Sequence, residues 1–280
     1  MKCAWQMFIN LLPVWMREEV DRLSRHDLQE LRLRIDMPPQ LITSGGPLYL
    51  GRPCSYDDLT FCVNVASRYS PWSAQTASQG YITAPGGHRI GLCGCGINSS
   101  ESHSGIQHIT SVCIRVARDF PGLASTIKDI VGSVLIIGRP GCGKTTLLRD
   151  LIRQLSDYRQ LCVSVVDEKG ELFPQAHKQM CFSPGRNTDV LSGSKKKQGI
   201  ESVLRNMSPD VIAMDEITAH EDCQALLHAG WCGVQLLATA HAGSRNDLFH
   251  RVVYKPMIES KLFDHLIVMK PDKSWQLERM

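Results

Sequence analysis

A glycine-rich loop near the middle of the sequence has the residue types and the spacing that bind phosphate. Gly138 to Thr145 follow the pattern GxxxxGK[ST], after a β-branched apolar run and before a helical pattern that begins at Lys144. Glycines let the backbone wrap so that its N–H groups point at phosphate oxygens, and the helix N-terminus adds the positive end of its dipole. The loop therefore predicts a nucleoside triphosphate site.

Individual residues of this loop have separate predicted roles. Lys144 is expected to reach the β- and γ-phosphates, and the Thr145 hydroxyl is expected to bind Mg²⁺, which prefers oxygen ligands. ATP and Mg²⁺ are the expected ligands. The residues predicted to bind the nucleotide are Gly138, Arg139, Pro140, Gly141, Cys142, Gly143, Lys144, Thr145 and Thr146.

Two adjacent carboxylates, Asp215 and Glu216, follow a later apolar run. Asp215 is predicted to hold the magnesium shell, and Glu216 to orient or activate the attacking water, because phosphoryl transfer needs an in-line nucleophile and neutralised charge. Taken alone, two acids after a strand also fit a helix cap. The upstream phosphate loop favours the catalytic interpretation.

Polar residues follow two more apolar runs. Asp167 and Glu168 come after 163–166, and His241 comes after 237–240. Ligands of an open parallel sheet bind at the carboxyl ends of its strands, so these residues are predicted to converge on the loop as catalytic residues, together with Lys144 and Glu216. A solvated loop remains the alternative for the acids, and a capping or core histidine for His241.

The elements that must position these residues fall into two parts. From residue 121 to 280, Val/Ile/Leu runs alternate with helical segments, which predicts an α/β fold with a mainly parallel sheet covered on both faces by helices. Residues 1–120 combine amphipathic helical segments, an alternating strand at 30–35 and a hairpin at 81–93, which predicts a smaller α+β domain. A polar loop is predicted at 99–105.

Composition limits the function only weakly. A formal net charge of +3 is far from the cationic bias of a nucleic-acid binder. Eleven cysteines without a CxxC pair or zinc spacing suggest a reducing cytoplasm. The sequence contains neither a signal-peptide pattern nor an apolar run of about 18 residues, so a cytoplasmic protein without direct membrane insertion is expected.

The order of the motifs resembles that of the type II and type IV secretion ATPases. The phosphate loop is followed by VVDEKGE, MDEI and ATAHAG segments, which resemble the Asp box, Walker B motif and His box of those enzymes. The match is sharper to the stage III sporulation protein AA family. It is carried by Leu12-Pro13, Glu30 to Arg34, Gly80 to Thr83, Pro85 to Gly94 and Arg205 to Asp210.

This resemblance implies a RecA-like P-loop NTPase domain behind a smaller N-terminal domain, assembled as a homohexamer. It further implies an ATPase on the mother-cell side of a channel complex between mother cell and forespore, with membrane proteins as partners. In secretion ATPases, arginines of the N-terminal region approach the phosphates. The candidates here are Arg34, Arg89, Arg115 and Arg118.

Two departures and two competing functions accompany this resemblance. Lys169 stands where an arginine is expected, and Arg139 where proline is commoner. A RecA-like motor on single-stranded nucleic acid is the main alternative, but a nucleic-acid partner is not expected. Its best local support is the run Lys195 to Lys197, which is interpreted as solvated loop. A small-molecule kinase is the third hypothesis.

Overall fold

The computed structural model describes residues 1–23, 25–67, 80–97, 105–176 and 179–280. These residues form two compact units: unit 1 contains Met1–Asp119 with Pro174–Phe182, and unit 2 contains Phe120–Phe173 with Ser183–Met280. Of the polar loop predicted at 99–105, all residues but Gly105 lie outside the described part of the chain. No helix in the described ranges is long and apolar enough to cross a membrane.

Unit 1 is built on a six-stranded antiparallel sheet. Its strands are β1 Glu30–Arg34, β2 Gln40–Thr43, β3 Gly46–Tyr49, β4 Tyr81–Thr83, β5 Arg89–Ile97 and β6 Gly105–Arg115, and its helices are α1 Trp5–Asn10, α2 Val14–Asp21 and α3 Tyr56–Ser67. The strand order in the sheet is β3-β2-β1-β6-β5-β4. Alternation in β1 turns Leu31 and Leu33 into the core, where both are fully buried, while the intervening residues face away.

A buried histidine joins the first residues of unit 1 to the strand region. His88 is completely buried, its Nε2 lies 3.1 Å from the Ala4 carbonyl, and its Nδ1 accepts the Ala117 N–H at 3.1 Å. Because a carbonyl only accepts and an amide only donates, this geometry fixes the neutral ring with its hydrogen on Nε2. Burial, with a smaller contribution from the Arg118 charge, lowers the pKa of His88 from 6.5 to about 4.

We expect unit 1 to lose stability in mild acid because of His88. The unfolded chain binds the proton first, so the stabilisation present above pH 6.5 is lost as the pH falls through the folded-state value of about 4. The full loss corresponds to about 3 kcal/mol. Denaturant unfolding of the wild type and of His88→Gln between pH 7 and pH 4 measures this difference. Equal pH dependence in both proteins would contradict it.

Unit 2 is built on a seven-stranded sheet. Its strands are β7 Val134–Ile137, β8 Val163–Asp167, β11 Thr188–Ser192, β12 Val211–Ile217, β13 Gln235–Ala240, β14 His265–Met269 and β15 Trp275–Arg279. Their order in the sheet is β11-β8-β12-β13-β7-β14-β15, parallel throughout except for the antiparallel edge strand β15. Every residue of β7 and β8 is buried, as expected for central parallel strands.

Helices connect these strands, and a short hairpin belongs to the other unit. The predicted fold class is confirmed: a helix-covered, mainly parallel sheet follows a smaller α+β unit. The helices of unit 2 are α4 Lys144–Asp157, α5 Lys196–Asn206, α6 His220–Trp231, α7 Arg245–His250 and α8 Lys255–Glu259. The antiparallel pair β9 Gln175–Ala176 and β10 Gln179–Met180 lies in the Pro174–Phe182 segment of unit 1.

Candidate nucleotide site

The glycine-rich loop connects the end of β7 to the start of α4. Gly141 and Gly143 have φ values of +78° and +99°, which L side chains rarely adopt. Gly138 is constrained by space instead, since a Cβ there would lie 2.5 Å from Cys142 Sγ and 2.9 Å from Met269 Cβ. Gly141 and Gly143 are therefore needed for the backbone conformation of the turn, and Gly138 is needed because neighbouring residues pack closely against it.

Lys144 lies inside this loop, with only 6% of its surface exposed. Its Nζ donates to the Gly138 carbonyl at 3.0 Å and to the Arg139 carbonyl at 3.1 Å, and it lies 3.1 Å from His241 Nδ1. An ammonium group has donors only, so His241 Nδ1 must accept and Nε2 must carry the ring hydrogen. Lys144 and the tip of β13 are thereby linked.

Thr145 and Asp215 provide adjacent oxygens at the same edge of the sheet. The Thr145 hydroxyl donates to Asp215 Oδ2 at 2.7 Å, and the Thr239 hydroxyl donates to Asp215 Oδ1 at 2.5 Å. A hydroxyl beside a carboxylate is the oxygen-rich environment that Mg²⁺ prefers. The donor set of Thr145 and Asp215 therefore fits the predicted metal.

Glu216 lies in a β-bulge that turns it toward the same edge. The ladder of β12 with β13 changes register between Met214 and Ile217, and Glu216 has a φ of +58°. Its Oε1 accepts from His241 Nε2 at 2.8 Å and its Oε2 from Lys169 Nζ at 3.1 Å. Burial acts to raise the pKa of Glu216, but the hydrogen bond and charge of Lys169 and the hydrogen bond of His241 outweigh it and lower that pKa.

These contacts join one residue from each of the four predicted clusters into one hydrogen-bonded series. It runs from Lys144 through His241 and Glu216 to Lys169, with the Thr145–Asp215 pair beside it. The strands β7, β13 and β12 are neighbours in the parallel sheet, so their carboxyl ends share one edge. The remaining predicted loop residue on the helix, Thr146, lies half-buried in the first turn of α4.

Asp167 and Glu168 make contacts that the sequence did not indicate. Both carboxylate oxygens of Asp167 accept backbone N–H groups, from Glu171 and Phe173, at 2.9 Å each. Burial, which outweighs these bonds, raises the pKa of Asp167 to about 6. Glu168 Oε2 lies 3.8 Å from Lys196 Nζ. The Asp167 contacts hold the loop that follows β8. A catalytic role for either acid stays a prediction.

The four predicted arginines lie in unit 1, where each has local contacts. Arg34 donates to Gln40, Arg89 stacks on the Tyr81 ring, and Arg115 pairs with Glu30 at 3.2 Å. The guanidinium of Arg118 donates to the carbonyls of Arg25 and Leu28. Their approach to the phosphates stays a prediction.

The lysine run 195–197 was interpreted as a solvated loop, and the structure shows that this is wrong for Lys196. The run enters α5, where Lys196 is 6% exposed while Lys195 and Lys197 are exposed. Its Nζ donates to the Glu216 carbonyl at 2.6 Å and lies 3.4 Å from Asp222 Oδ2. One signal was available in the sequence: Lys196 is four residues before the buried Ile200, on the apolar face of the helix.

Fold and motif order define a RecA-like P-loop protein with the architecture of the secretion ATPases. The Legionella pneumophila ATPase DotB superimposes with a TM-score of 0.58 at 18% identity, over 96% of this chain and 80% of that one. The pilus retraction motor PilT, solved with bound ADP, gives a TM-score of 0.60 at 14% identity, over 90% of this chain and 77% of that one. Identities this low concern the fold alone.

Within that class, the chain belongs to the family described as sporulation stage III, protein AA, which it matches over residues 6–276. Stage III sporulation protein AA of Bacillus subtilis (strain 168) is 33% identical over 276 residues, 94% of this chain and 90% of that protein. The uncharacterised ycf45 protein of Porphyra purpurea is 28% identical, but this chain spans only 41% of its length. The family predicted from the motifs is confirmed.

Proposed function

We propose that this protein is an ATPase that hydrolyses ATP to ADP and phosphate. The observation that carries the proposal is the series from Lys144 through His241 and Glu216 to Lys169, with the Thr145–Asp215 oxygens beside it. Together these side chains supply a phosphate-binding cation, a metal-binding oxygen pair and a carboxylate for water, which are the recurring parts of a phosphoryl-transfer site.

The chain's own residues divide the work of this reaction. The backbone N–H groups of the loop and the Lys144 ammonium bind phosphate oxygens. Thr145 and Asp215 would hold Mg²⁺, which would neutralise phosphate charge when bound. Thr239 donates to Asp215 and thereby fixes the orientation of that carboxylate.

Glu216 is proposed to orient the attacking water more than to take its proton. General bases work best when their pKa lies near the operating pH, whereas Lys169 and His241 hold the pKa of Glu216 below its usual value. A carboxylate that stays ionised is a strong hydrogen-bond acceptor for a water molecule. His241, which donates to Oε1, keeps the carboxylate at the sheet edge.

The proposed setting is a homohexamer in the mother-cell cytoplasm that drives or assembles a channel complex of membrane proteins during endospore formation. Its support is the family membership and the name of the 33% identical relative, stage III sporulation protein AA. The arginines proposed to approach the phosphates are Arg34, Arg89, Arg115 and Arg118. The nucleic-acid alternative loses its best local argument, because Lys196 is buried.

The proposal is tested by phosphate release from ATP with the purified chain. We expect slow hydrolysis that falls at least tenfold when EDTA removes Mg²⁺, because the Thr145 and Asp215 oxygens bind phosphate only through the metal. A matched sample with excess Mg²⁺ added back after EDTA should recover the rate. A chain that binds ATP by calorimetry but releases no phosphate above background would disprove hydrolysis, and one that binds no ATP would disprove the site.

A further inference from the structure

The two peptide groups that flank the Glu216 Cα are each held by a side chain from another element. In the bulge, the Glu216 N–H donates to Thr239 Oγ1 at 2.8 Å, and the Glu216 carbonyl accepts from Lys196 Nζ at 2.6 Å. Glu216 also has a φ of +58°, in the left-handed region that residues with a Cβ rarely occupy. Such a conformation persists only when its surroundings determine it.

Lys196 is placed where a positive charge is otherwise unfavourable. It is the first residue of α5, where the helix dipole is positive, and its side chain is almost fully removed from water. Its oxygen partners offset this: besides the Glu216 carbonyl, they are Asp222 Oδ2 at 3.4 Å, Thr218 Oγ1 at 3.3 Å and Glu168 Oε2 at 3.8 Å.

Asp222 in turn is fixed by the turn that follows Glu216. Its Oδ2 accepts the N–H groups of Thr218 and Ala219 at 3.0 and 3.1 Å. The Lys196 ammonium therefore bridges a rigid helix start and the Glu216 carbonyl. A side chain anchored in this way can set the position of one peptide group and, through it, the direction of the Glu216 carboxylate.

We propose that Lys196 is a positioning residue that holds the Glu216 peptide in its left-handed conformation and thereby keeps the Glu216 carboxylate against His241 and Lys169. The expected loss of kcat rests on the proposed ATPase function, whereas the expected change in the conformation of Glu216 does not. Lys196 acts through Glu216 and is assigned no contact with the reacting atoms. It also gives Glu168 a second role, as one of the carboxylates that stabilise the buried ammonium.

The test compares Lys196→Met with Lys195→Met and Lys197→Met, which remove the same charge from exposed neighbours. We expect kcat of Lys196→Met to fall at least tenfold, while its affinity for ATP stays within threefold of wild type. Both control variants should keep kcat and affinity within twofold. If kcat of Lys196→Met stays as close to wild type as that of the two controls, the proposal is overturned.

Crystal structures of the variants provide a readout that does not depend on hydrolysis. In Lys196→Met, Glu216 should leave the left-handed region and lose its contact with His241. If both features persist, Lys196 does not position Glu216, whatever the activity. If wild type itself hydrolyses no ATP, the proposed function fails, while these structures still decide the role of Lys196.

Lys196→Arg keeps the test open if Lys196→Met does not fold. It retains the charge that Asp222 and Glu168 stabilise, so thermal unfolding close to wild type is expected. An arginine that still bonds the Glu216 carbonyl should recover part of the lost kcat. Normal turnover in a variant whose guanidinium has left that carbonyl would overturn the proposal.

Discussion

Lys144→Ala should bind ATP at least tenfold more weakly than wild type. A charge-assisted hydrogen bond contributes about 1.5–3 kcal/mol, which corresponds to roughly 10- to 100-fold in affinity. Lys144 is buried, and its ammonium donates to the Gly138 and Arg139 carbonyls of the loop that is proposed to bind phosphate. Removal of the ammonium therefore takes away both the charge proposed to bind phosphate and two hydrogen bonds that hold the loop. Isothermal titration calorimetry with ATP measures the change.

Lys195→Ala is the matched control for this variant, since it removes an exposed lysine from the same unit. Its affinity should equal that of wild type. Thermal unfolding of both proteins distinguishes a lost ligand contact from a disordered unit 2. Unchanged ATP affinity in a folded Lys144→Ala protein would contradict the assigned position of the phosphates.

The strands that carry the site could be predicted because their sequences are short, mainly apolar runs. The runs at β7, β8 and β13 are too short for buried helices and end in glycine or polar residues, which marks both the strand and its carboxyl end. Parallel pairing then brings those ends together. Family motifs add the order of the clusters, but the sheet edge follows from the apolar pattern itself.

The two edge strands of the unit 2 sheet were not predicted, for a physical reason. β11 and β15 are largely half-exposed or exposed, and neither has the apolar run of a central strand. An edge strand pairs on one side only, and these two bury little apolar surface, so their sequence pattern resembles that of loops. The Pro174–Phe182 segment was missed on different grounds, because its partner Gly87 lies far away in the sequence: a Cβ at Gly87 would be 2.8 Å from Pro174 Cγ.

Buried charges were the least predictable part of the site. A lysine is buried only when carboxylates and carbonyls surround it, and the partners of Lys196 come from β12 and α6. Asp167 illustrates the same limit for an acid. Its position directly after the apolar run 163–166 was predicted, but not that both its oxygens would accept N–H groups of the following loop.

Glu216→Gln should bind ATP with nearly wild-type affinity and hydrolyse it at least tenfold more slowly. Glutamine has the shape of glutamate and can accept one of the hydrogen bonds from His241 and Lys169, so the sheet edge should keep its geometry. It cannot supply a charged acceptor to water, and one of its two former oxygens becomes an NH₂ donor. The rate therefore falls through loss of water orientation, while phosphate binding by Lys144 and the loop is retained.

Single-turnover phosphate release measures this loss directly, because it separates hydrolysis from product release. Glu221→Gln, at an exposed carboxylate in the first turn of α6, is the control for removal of a negative charge from the same unit and should hydrolyse ATP at the wild-type rate. Near-normal hydrolysis in Glu216→Gln would remove Glu216 from the mechanism.

A double variant tests the two assignments together. Lys196 is proposed to act only through Glu216. If both assignments are right, the double variant Glu216→Gln, Lys196→Met should therefore be no slower than Glu216→Gln alone.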